Sequence, residues 1–293
     1  MSVVAVVGVG AIGGVVAARL CAAGRDDVVL CVRSPFDALV VEGPAGVLRA
    51  TPRIVTTPDA VKPAPWVLFA TKAHQTAGAA DWLKVLATPA TTVAILQNGV
   101  EHEDRVAPYA NGATLLPVIV NCPAARVAPG RIVQHAPAQL IVPATEAGRR
   151  FTQLFAGTDI SATVTTDFVT EAWRKLCLNA AGGAITALTD RPIGVVRRPD
   201  VAQVAWDLVR ECVTVGRAEG ARLDEGLVEE IVASMVKGPP EVGTSMLTDR
   251  RAGQLLEADA RNGAVVRIGA RHGIATPLNR AMTALLTAIH QET

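Results

Sequence analysis

The chain has almost no net charge. Its 293 residues include 28 Lys plus Arg and 27 Asp plus Glu, which gives a formal net charge of +1 at pH 7. Without a basic excess or a basic block, nothing in the composition would attract nucleic acid or an anionic membrane surface. We therefore expect neither as a partner, and a small anionic ligand would need a local binding site.

Cysteines and histidines are few, and they lack the spacing of a metal site. The residues are Cys21, Cys31, Cys122, Cys177 and Cys212 together with His74, His102, His135, His272 and His290. Most of the cysteines lie inside apolar runs, which is typical of reduced core thiols in a cytoplasmic protein. The sequence predicts no bound metal, and the absence of Gly-x-Ser-x-Gly disfavours a serine hydrolase.

Long apolar runs are also missing. Half of the residues are hydrophobic, but Arg, Asp, Gln or Pro interrupts each run before the roughly 18 residues that a membrane span needs. The N-terminal run has no basic region before it and leads into a glycine loop, so we expect a first strand and not a signal peptide. This length and apolar content suffice for two domains with substantial cores.

The glycine loop is the most informative motif. An apolar run from Val3 to Val7 precedes it and a helix-forming stretch, 14–21, follows it. The loop reads Gly8-Val9-Gly10-Ala11-Ile12-Gly13. Gly8 would permit a tight turn, Gly10 would let the backbone approach a pyrophosphate, and Gly13 would let helix and strand pack closely. With phosphates at the helix N-terminus, the pattern predicts a dinucleotide site.

The end of the second predicted strand, Val28 to Val32, indicates which dinucleotide is preferred. About 20 residues past the glycines, an NAD enzyme carries an Asp or Glu for the ribose 2′-hydroxyl. This sequence has Arg33 and Ser34 there. A guanidinium and a hydroxyl suit a 2′-phosphate, so we expect NADP(H) in place of NAD(H). The alternative is a solvated arginine after a strand.

Two halves of the chain differ in pattern. Residues 1–166 alternate short β-branched runs with helical stretches, whereas 167–293 show long helical periods. This predicts an α/β fold: an N-terminal Rossmann-type doubly wound sheet, followed by an all-helical C-terminal domain. We expect a cleft between the two to bind the substrate. The predicted elements include a helix from Thr76 to Ala87, a strand from Leu115 to Val120, and a helical segment from Thr248 to His272 that is broken near Asn262-Gly263.

Polar residues close two neighbouring predicted strands. Lys72 follows the strand Val67 to Thr71, and Asn98 follows the strand Thr92 to Gln97. Either feature alone is commonplace. The carboxyl ends of parallel strands form the edge where ligands bind, so the two together indicate a cofactor edge.

The helical half carries a further pair, Lys175 and Asn179. They are four residues apart and so lie on one face of a predicted helix, 170–188, among small or apolar neighbours. Such a lysine either snorkels to water or is held in a cleft. If it is held there, desolvation would lower its pKa and improve it as a proton donor near neutral pH.

Three more candidates lie near the C-terminal end. Ser245 precedes an apolar pair and could be a helix N-cap. Glu257 and Asp259 could be ordinary charges on a helix face.

Together these segments resemble the ketopantoate reductase (2-dehydropantoate 2-reductase) family from Val4 to about Leu286. The matching segments are the glycine loop, Ala70-Thr71-Lys72, Gln97-Asn98-Gly99, Trp173-Arg174-Lys175-Leu176-Cys177-Leu178-Asn179, Ser245-Met246-Leu247-Thr248-Asp249 and Glu257-Ala258-Asp259-Ala260-Arg261-Asn262-Gly263. Their order and spacing follow the family throughout.

The resemblance implies hydride transfer from NADPH to the C2 ketone of a 2-oxo acid, with ketopantoate as the leading substrate. It implies that Lys175 donates the proton and stabilises the developing alkoxide. The implied substrate-binding residues are Asn98, Asn179 and Ser245. The implied cofactor-binding residues are Gly8, Val9, Gly10, Ala11, Ile12, Gly13, Arg33, Lys72, Asn98 and Glu257. A nearby Glu257 would favour the ammonium form of the lysine, which leaves the direction of its pKa shift open.

Two departures from the family bear on the substrate. Gly183 and Ile193 stand where the family has asparagines, and lost hydrogen-bond partners generally relax discrimination. One alternative is therefore a reductase of another 2-oxo acid or of an imine. The other is a non-catalytic NADP(H)-binding sensor, which the presence of both Lys175 and Asn179 argues against. Exposed faces of the helical domain could support a homodimer.

Overall fold

The computed structural model of the chain describes residues 3–44 and 46–289. His290, one of the histidines considered above, lies outside this range. Contacts within the chain group it into two compact units, Met1–Phe168 and Val169–Thr293.

The first unit contains all of the strands that the structure describes. They are β1 Val4–Val7, β2 Val28–Cys31, β3 Leu39–Gly43, β4 Gly46–Ala50, β5 Arg53–Val55, β6 Trp66–Phe69, β7 Thr92–Ile95, β8 Thr114–Pro117, β9 Ile119–Asn121, β10 Ala124–Ala128, β11 Arg131–Gln134, β12 Gln139–Pro143 and β13 Ser161–Thr165. The helices of both units are α1 Ala11–Ala22, α2 Ala80–Leu86, α3 His102–Val106, α4 Glu146–Leu154, α5 Phe168–Thr189, α6 Pro199–Ala218, α7 Leu227–Lys237, α8 Ser245–Arg251, α9 Ala264–Arg271 and α10 Pro277–Ala288.

A six-stranded sheet forms the centre of the first unit. Its strands lie in the order β5-β2-β1-β6-β7-β8, and every neighbouring pair is parallel. The chain order reverses between β1 and β6, so the carboxyl ends of these two strands flank the crevice where such sheets bind ligands. Separate apolar clusters cover its two faces. The predicted fold class, a doubly wound sheet followed by helices, is confirmed.

A second sheet covers α1 and was not predicted as such. Its order is β10-β11-β3-β4, and α1 packs against it. A Cβ on Gly14 would lie 2.1 Å from Ile132 Cδ1, so this glycine allows the close approach of helix and sheet. A third sheet has the order β13-β12-β9.

Two predicted elements of the first unit differ from the structure. The strand expected from Leu115 to Val120 is divided into β8 and β9, which pair in different sheets. The helix expected from Thr76 to Ala87 is α-helical only in α2, after 3-10 turns at Ala73–Gln75 and Ala77–Ala79. Thr76, which is β-branched, and Gly78, which has no side chain, both have low helix propensity, and this favours the short turns.

The second unit is helical throughout its described part. The break predicted near Asn262-Gly263 is wrong, because these residues lie in a π-helical turn, Asp259–Gly263, that runs directly into α9. The chain leaves the helix earlier, after α8, where Gly253 has a φ of +63°. A glycine in this left-handed conformation is a common helix terminator.

Within residues 3–44 and 46–289, no helix is long and apolar enough to cross a bilayer. The same residues contain no group of three or more His, Cys, Asp or Glu side chains arranged to hold a metal ion.

Candidate active site

Two glycines of the loop after β1 are required by the backbone. Gly8 has a φ of +90°, and a Cβ there would lie 2.6 Å from the amide nitrogen of Thr71. A Cβ on Gly13 would lie 2.2 Å from the carbonyl oxygen of Gly8. Gly8 therefore permits both the turn and its contact with the segment after β6, while Gly13 lets α1 begin directly against the turn.

Gly10 has a different environment. Apart from its immediate chain neighbours and the adjoining helix backbone, no atom of the described chain lies within 4 Å of the position that its Cβ would take. Gly10 is the N-cap of α1, and the first turn of this helix carries no acidic residue. The first amide groups of a helix have no partners within the helix, and its dipole favours an anion at this end. The loop formed by Gly8, Val9, Gly10, Ala11, Ile12 and Gly13 therefore fits the pyrophosphate of a dinucleotide.

Gln97 joins the segments that follow β6 and β7. It is 3% exposed, and its Nε2 donates to the hydroxyl of Thr71 (3.0 Å), the hydroxyl of Thr76 (2.9 Å) and the carbonyl oxygen of Lys72 (3.4 Å). The Nε2 of His102 lies 3.1 Å from the carbonyl oxygen of Gln97. These contacts hold the two strand ends together and fix the backbone at Lys72. This role of Gln97 was not predicted from the sequence, although Gln97 directly precedes Asn98.

Replacing Gln97 with methionine tests this connection. The variant keeps the length of the side chain and removes the donor. The hydroxyls of Thr71 and Thr76 and the carbonyl oxygen of Lys72 then lose their hydrogen bonds to Gln97. We expect the free energy of unfolding to fall by about 1–3 kcal/mol. Urea denaturation measures the change, and the exposed Gln203→Met should shift it by at most about 0.5 kcal/mol. Equal stability of both variants would contradict the role of Gln97.

The remaining candidates of the first unit lie after the strands that the sequence predicted. Lys72 and Asn98 are half-buried, and Asn98 precedes Gly99, which has a φ of +109°. Arg33 is exposed, and it forms no hydrogen bond or ion pair with any residue in 3–44 or 46–289. Its guanidinium is therefore available to an anionic ligand. Burial raises the pKa of Cys31, at the end of β2, to about 12, so this thiol stays protonated at neutral pH.

Helix α5 presents the candidates of the second unit. Lys175 and Asn179 are half-buried, and Gly183 follows at the same spacing, so the three lie along one face of the helix. Elsewhere along the helix, Trp173 packs closely against α6, because a Cβ on Gly216 would lie 2.9 Å from the indole ring. This packing anchors the helix that carries the lysine.

Arg261 connects two of the other predicted site residues. Its Nη2 donates to the hydroxyl of Ser245 (2.9 Å) and to the carboxylate of Glu257 (3.1 Å). Ser245 is exposed, whereas Glu257 is 3% and Arg261 2% exposed. Arg261 was not predicted from the sequence as a site residue. The signal was its position four residues after Glu257, the spacing at which opposite charges pair on a helix.

The structure decides the alternatives that the sequence left open for Ser245, Glu257 and Asp259. The N-cap of α8 is Thr244, whose hydroxyl accepts from the amide of Leu247 at 3.1 Å, so Ser245 is not the cap. Glu257 is buried and is not an ordinary surface charge. Asp259 does behave as one, since it forms an ion pair with Arg267 in which both side chains are well exposed.

Comparisons with known proteins cover nearly the whole chain. A family model described as ketopantoate reductase PanE/ApbA matches residues 4–147, and a model described as its C terminal matches residues 167–290. A 2-dehydropantoate 2-reductase of Caulobacter vibrioides is 48% identical over 291 residues, 98% of this chain and 99% of the relative. This chain belongs to the ketopantoate reductase family.

Further members of the ketopantoate reductase family are similar over the same length. A 2-dehydropantoate 2-reductase of Mycobacterium tuberculosis is 39% identical, with 97% of each chain covered. The crystal structure of a PanE/ApbA family ketopantoate reductase from Ralstonia eutropha has a TM-score of 0.89 and 29% identity, with 98% of each chain covered. As a family member, the chain is an oxidoreductase that depends on a pyridine nucleotide.

Proposed function

We propose that this chain reduces 2-dehydropantoate (ketopantoate) to pantoate with NADPH. The observation that carries the proposal is the face of α5 with Lys175, Asn179 and Gly183. At Gly183 this face contacts the guanidinium of Arg261, which is hydrogen-bonded to Ser245 and Glu257. Full-length similarity to a 2-dehydropantoate 2-reductase supports the choice of substrate. We propose that residues 1–166 form the cofactor domain and residues 167–293 the substrate domain.

Each substrate-site residue has a chemical role in this proposal. When bound, NADPH supplies the hydride that adds to C2 of the oxo acid. The ammonium group of Lys175 donates a proton to the carbonyl oxygen, and its charge stabilises the negative charge that develops there. Asn98, Asn179 and Ser245 supply hydrogen bonds that orient the substrate.

The cofactor contacts follow from the first unit. The open space at Gly10 and the N-terminus of α1 suit the pyrophosphate. The exposed guanidinium of Arg33 suits a 2′-phosphate, which is why we propose NADPH over NADH. Lys72 and Glu257 are proposed to contact the nicotinamide end.

Replacing Arg33 with alanine tests the choice of cofactor. Because the variant removes a charge-assisted hydrogen bond of about 1.5–3 kcal/mol, we expect KM for NADPH to rise about 10- to 100-fold. KM for NADH should stay within about twofold, since NADH lacks the 2′-phosphate. Steady-state kinetics with both cofactors measure this, with the exposed Arg149→Ala as control. Equal losses for NADPH and NADH would contradict the role of Arg33.

The function itself is tested by following NADPH consumption with ketopantoate, other 2-oxo acids and an imine. The proposal expects the highest kcat/KM for ketopantoate. Turnover of another oxo acid or an imine alone would support the alternative reductase that Gly183 and Ile193 suggested. NADPH binding without turnover of any substrate would favour the sensor.

We also propose that the protein is a cytoplasmic homodimer. Leu255 and Leu285 of the second unit are 58% and 53% exposed, and a second copy that covered these side chains would remove their apolar surface from water. All five cysteines are free, which suits a reducing compartment. Light scattering on the purified protein should give the mass of two chains, and the mass of one chain would contradict the dimer.

A further inference from the structure

We propose that Arg261 determines substrate specificity by holding the hydroxyl of Ser245 as a hydrogen-bond donor toward the carboxylate of the 2-oxo acid. Arg261 acts through Ser245, so it is a positioning residue. The inference rests on the proposed function and adds the group that selects an anionic substrate over a neutral one.

The first support is the direction of the hydrogen bond at Ser245. Arg261 Nη2 donates to the serine oxygen at 2.9 Å. A hydroxyl has one proton and two lone pairs, and here the guanidinium occupies a lone pair. The proton of Ser245 has no acceptor among residues 3–44 and 46–289. Because Ser245 is exposed, it can donate to an incoming ligand.

The second support is charge. Arg261 always carries a positive charge, and it lies directly behind the exposed hydroxyl. Its partner Glu257 balances this charge within the buried pair, and the Nη2 group of Arg261 lies between the Glu257 carboxylate and the serine hydroxyl, donating to both. A cation one hydroxyl away strengthens donation to an anionic acceptor. A carboxylate, which only accepts hydrogen bonds, is the matching group.

The third support is the space beside Gly183. A Cβ at this position would lie 3.0 Å from Arg261 Nη1 and 3.6 Å from the terminal carbon of Met246. Any side chain at position 183 would therefore displace the guanidinium. From the sequence, Gly183 was interpreted as the loss of a hydrogen-bonding side chain, but the guanidinium of Arg261 lies against it. The guanidinium lies where a side chain at position 183 would extend.

The local backbone also points to a role beyond stability. Arg261 lies in the π-helical turn Asp259–Gly263, and such turns are frequently found at functional sites. Its Nε is buried without a hydrogen-bond partner among the described residues, which is costly. The guanidinium is thus placed to reach Ser245 and Glu257, although one of its own donors stays unsatisfied.

The first test is Gly183→Ala, which keeps the Arg261–Glu257 pair and pushes the guanidinium by a few tenths of an ångström. Its matched control is Gly182→Ala in the same helix, where the new Cβ would lie 3.5 Å from Ile193 and 3.7 Å from Met235, both ordinary contacts. We expect Gly183→Ala to raise KM for the oxo acid about tenfold, the loss of one charge-assisted hydrogen bond. The Gly182→Ala control should leave KM for the oxo acid unchanged. In both variants KM for NADPH should stay within about twofold of wild type, because only a contact with the oxo acid is lost.

The second test compares a 2-oxo acid with its neutral 2-oxo amide in wild type, Arg261→Met, Arg261→Lys, Ser245→Ala and the Ser245→Ala/Arg261→Met double variant. Wild type should prefer the acid. Arg261→Met should lower that preference about tenfold and Arg261→Lys less, because lysine keeps the charge without the planar fork. In the double variant, the second substitution should add little to the first, since both remove the same contact.

The outcomes separate this inference from the proposed function. An unchanged acid-to-amide preference in Arg261→Met, or additive effects in the double variant, would overturn the inference and leave the function intact. If Arg261→Met does not fold, a wild-type KM for the oxo acid in Gly183→Ala overturns the inference. If the wild type binds NADPH and reduces no 2-oxo acid, the proposed function fails, and this inference fails with it.

Discussion

Lys175→Ala is expected to lower kcat by about 100- to 10,000-fold, the usual contribution of a positioned general acid. The alanine can neither donate a proton nor stabilise the charge on the carbonyl oxygen. Binding of NADPH should stay within about twofold, because the proposed cofactor contacts lie elsewhere. Stopped-flow or steady-state NADPH oxidation measures kcat, and fluorescence titration measures NADPH affinity.

The control for Lys175→Ala is Lys237→Ala, which removes an exposed lysine at the end of α7 in the same unit. It should keep wild-type kcat. Circular dichroism of both variants checks that they are folded. A kcat for Lys175→Ala within about threefold of wild type would contradict a proton-donor role.

Gly13→Ala is the second substitution with a large expected effect. Its Cβ would lie 2.2 Å from the Gly8 carbonyl oxygen and 3.1 Å from Ala70 Cβ. The backbone at Gly13 or at Gly8 must therefore move, so we expect a loss of about 1–3 kcal/mol in the free energy of unfolding. NADPH affinity should fall at least about tenfold, because the turn and the start of α1 shift together.

Alanine substitutions at two other glycines distinguish an effect on stability from an effect on NADPH binding. The Cβ of Gly10→Ala meets no described atom within 4 Å apart from its chain neighbours and the adjoining helix backbone, so this variant should keep the stability of the wild type and weaken NADPH binding alone. Gly78→Ala also meets no such atom and lies outside the loop, so it should change neither. Thermal unfolding and NADPH titration of the three variants give the comparison. Wild-type NADPH affinity in Gly10→Ala would contradict a pyrophosphate at this position.

The cofactor half of the site could be predicted because its signals are local. The run into Gly8, Gly10 and Gly13 specifies a strand, a turn and a helix within a few residues. Lys72 and Asn98 follow strongly apolar runs, so their place at strand ends followed from the pattern. The helix carrying Lys175 and Asn179 is likewise specified by its own periodicity.

The second sheet was not recognised from sequence because its pairing is not local. β3 pairs in parallel with β11, so that Val40 lies beside Arg131. No periodicity in either segment indicates the other. The division of the expected strand Leu115 to Val120 has the same cause, since β8 and β9 each follow a different sheet.

The sequence by itself determined the two kinds of secondary structure, the glycine loop and the face of α5, because these depend on neighbours within a few turns of chain. Only the tertiary structure decided what lies beside Gly183 and what Gln97 holds. Arg261 lies far along the chain from Gly183, and their contact depends on how α5 packs against the π-helical turn. Buried polar groups take the partners that packing brings to them, and spacing along the chain does not specify those partners.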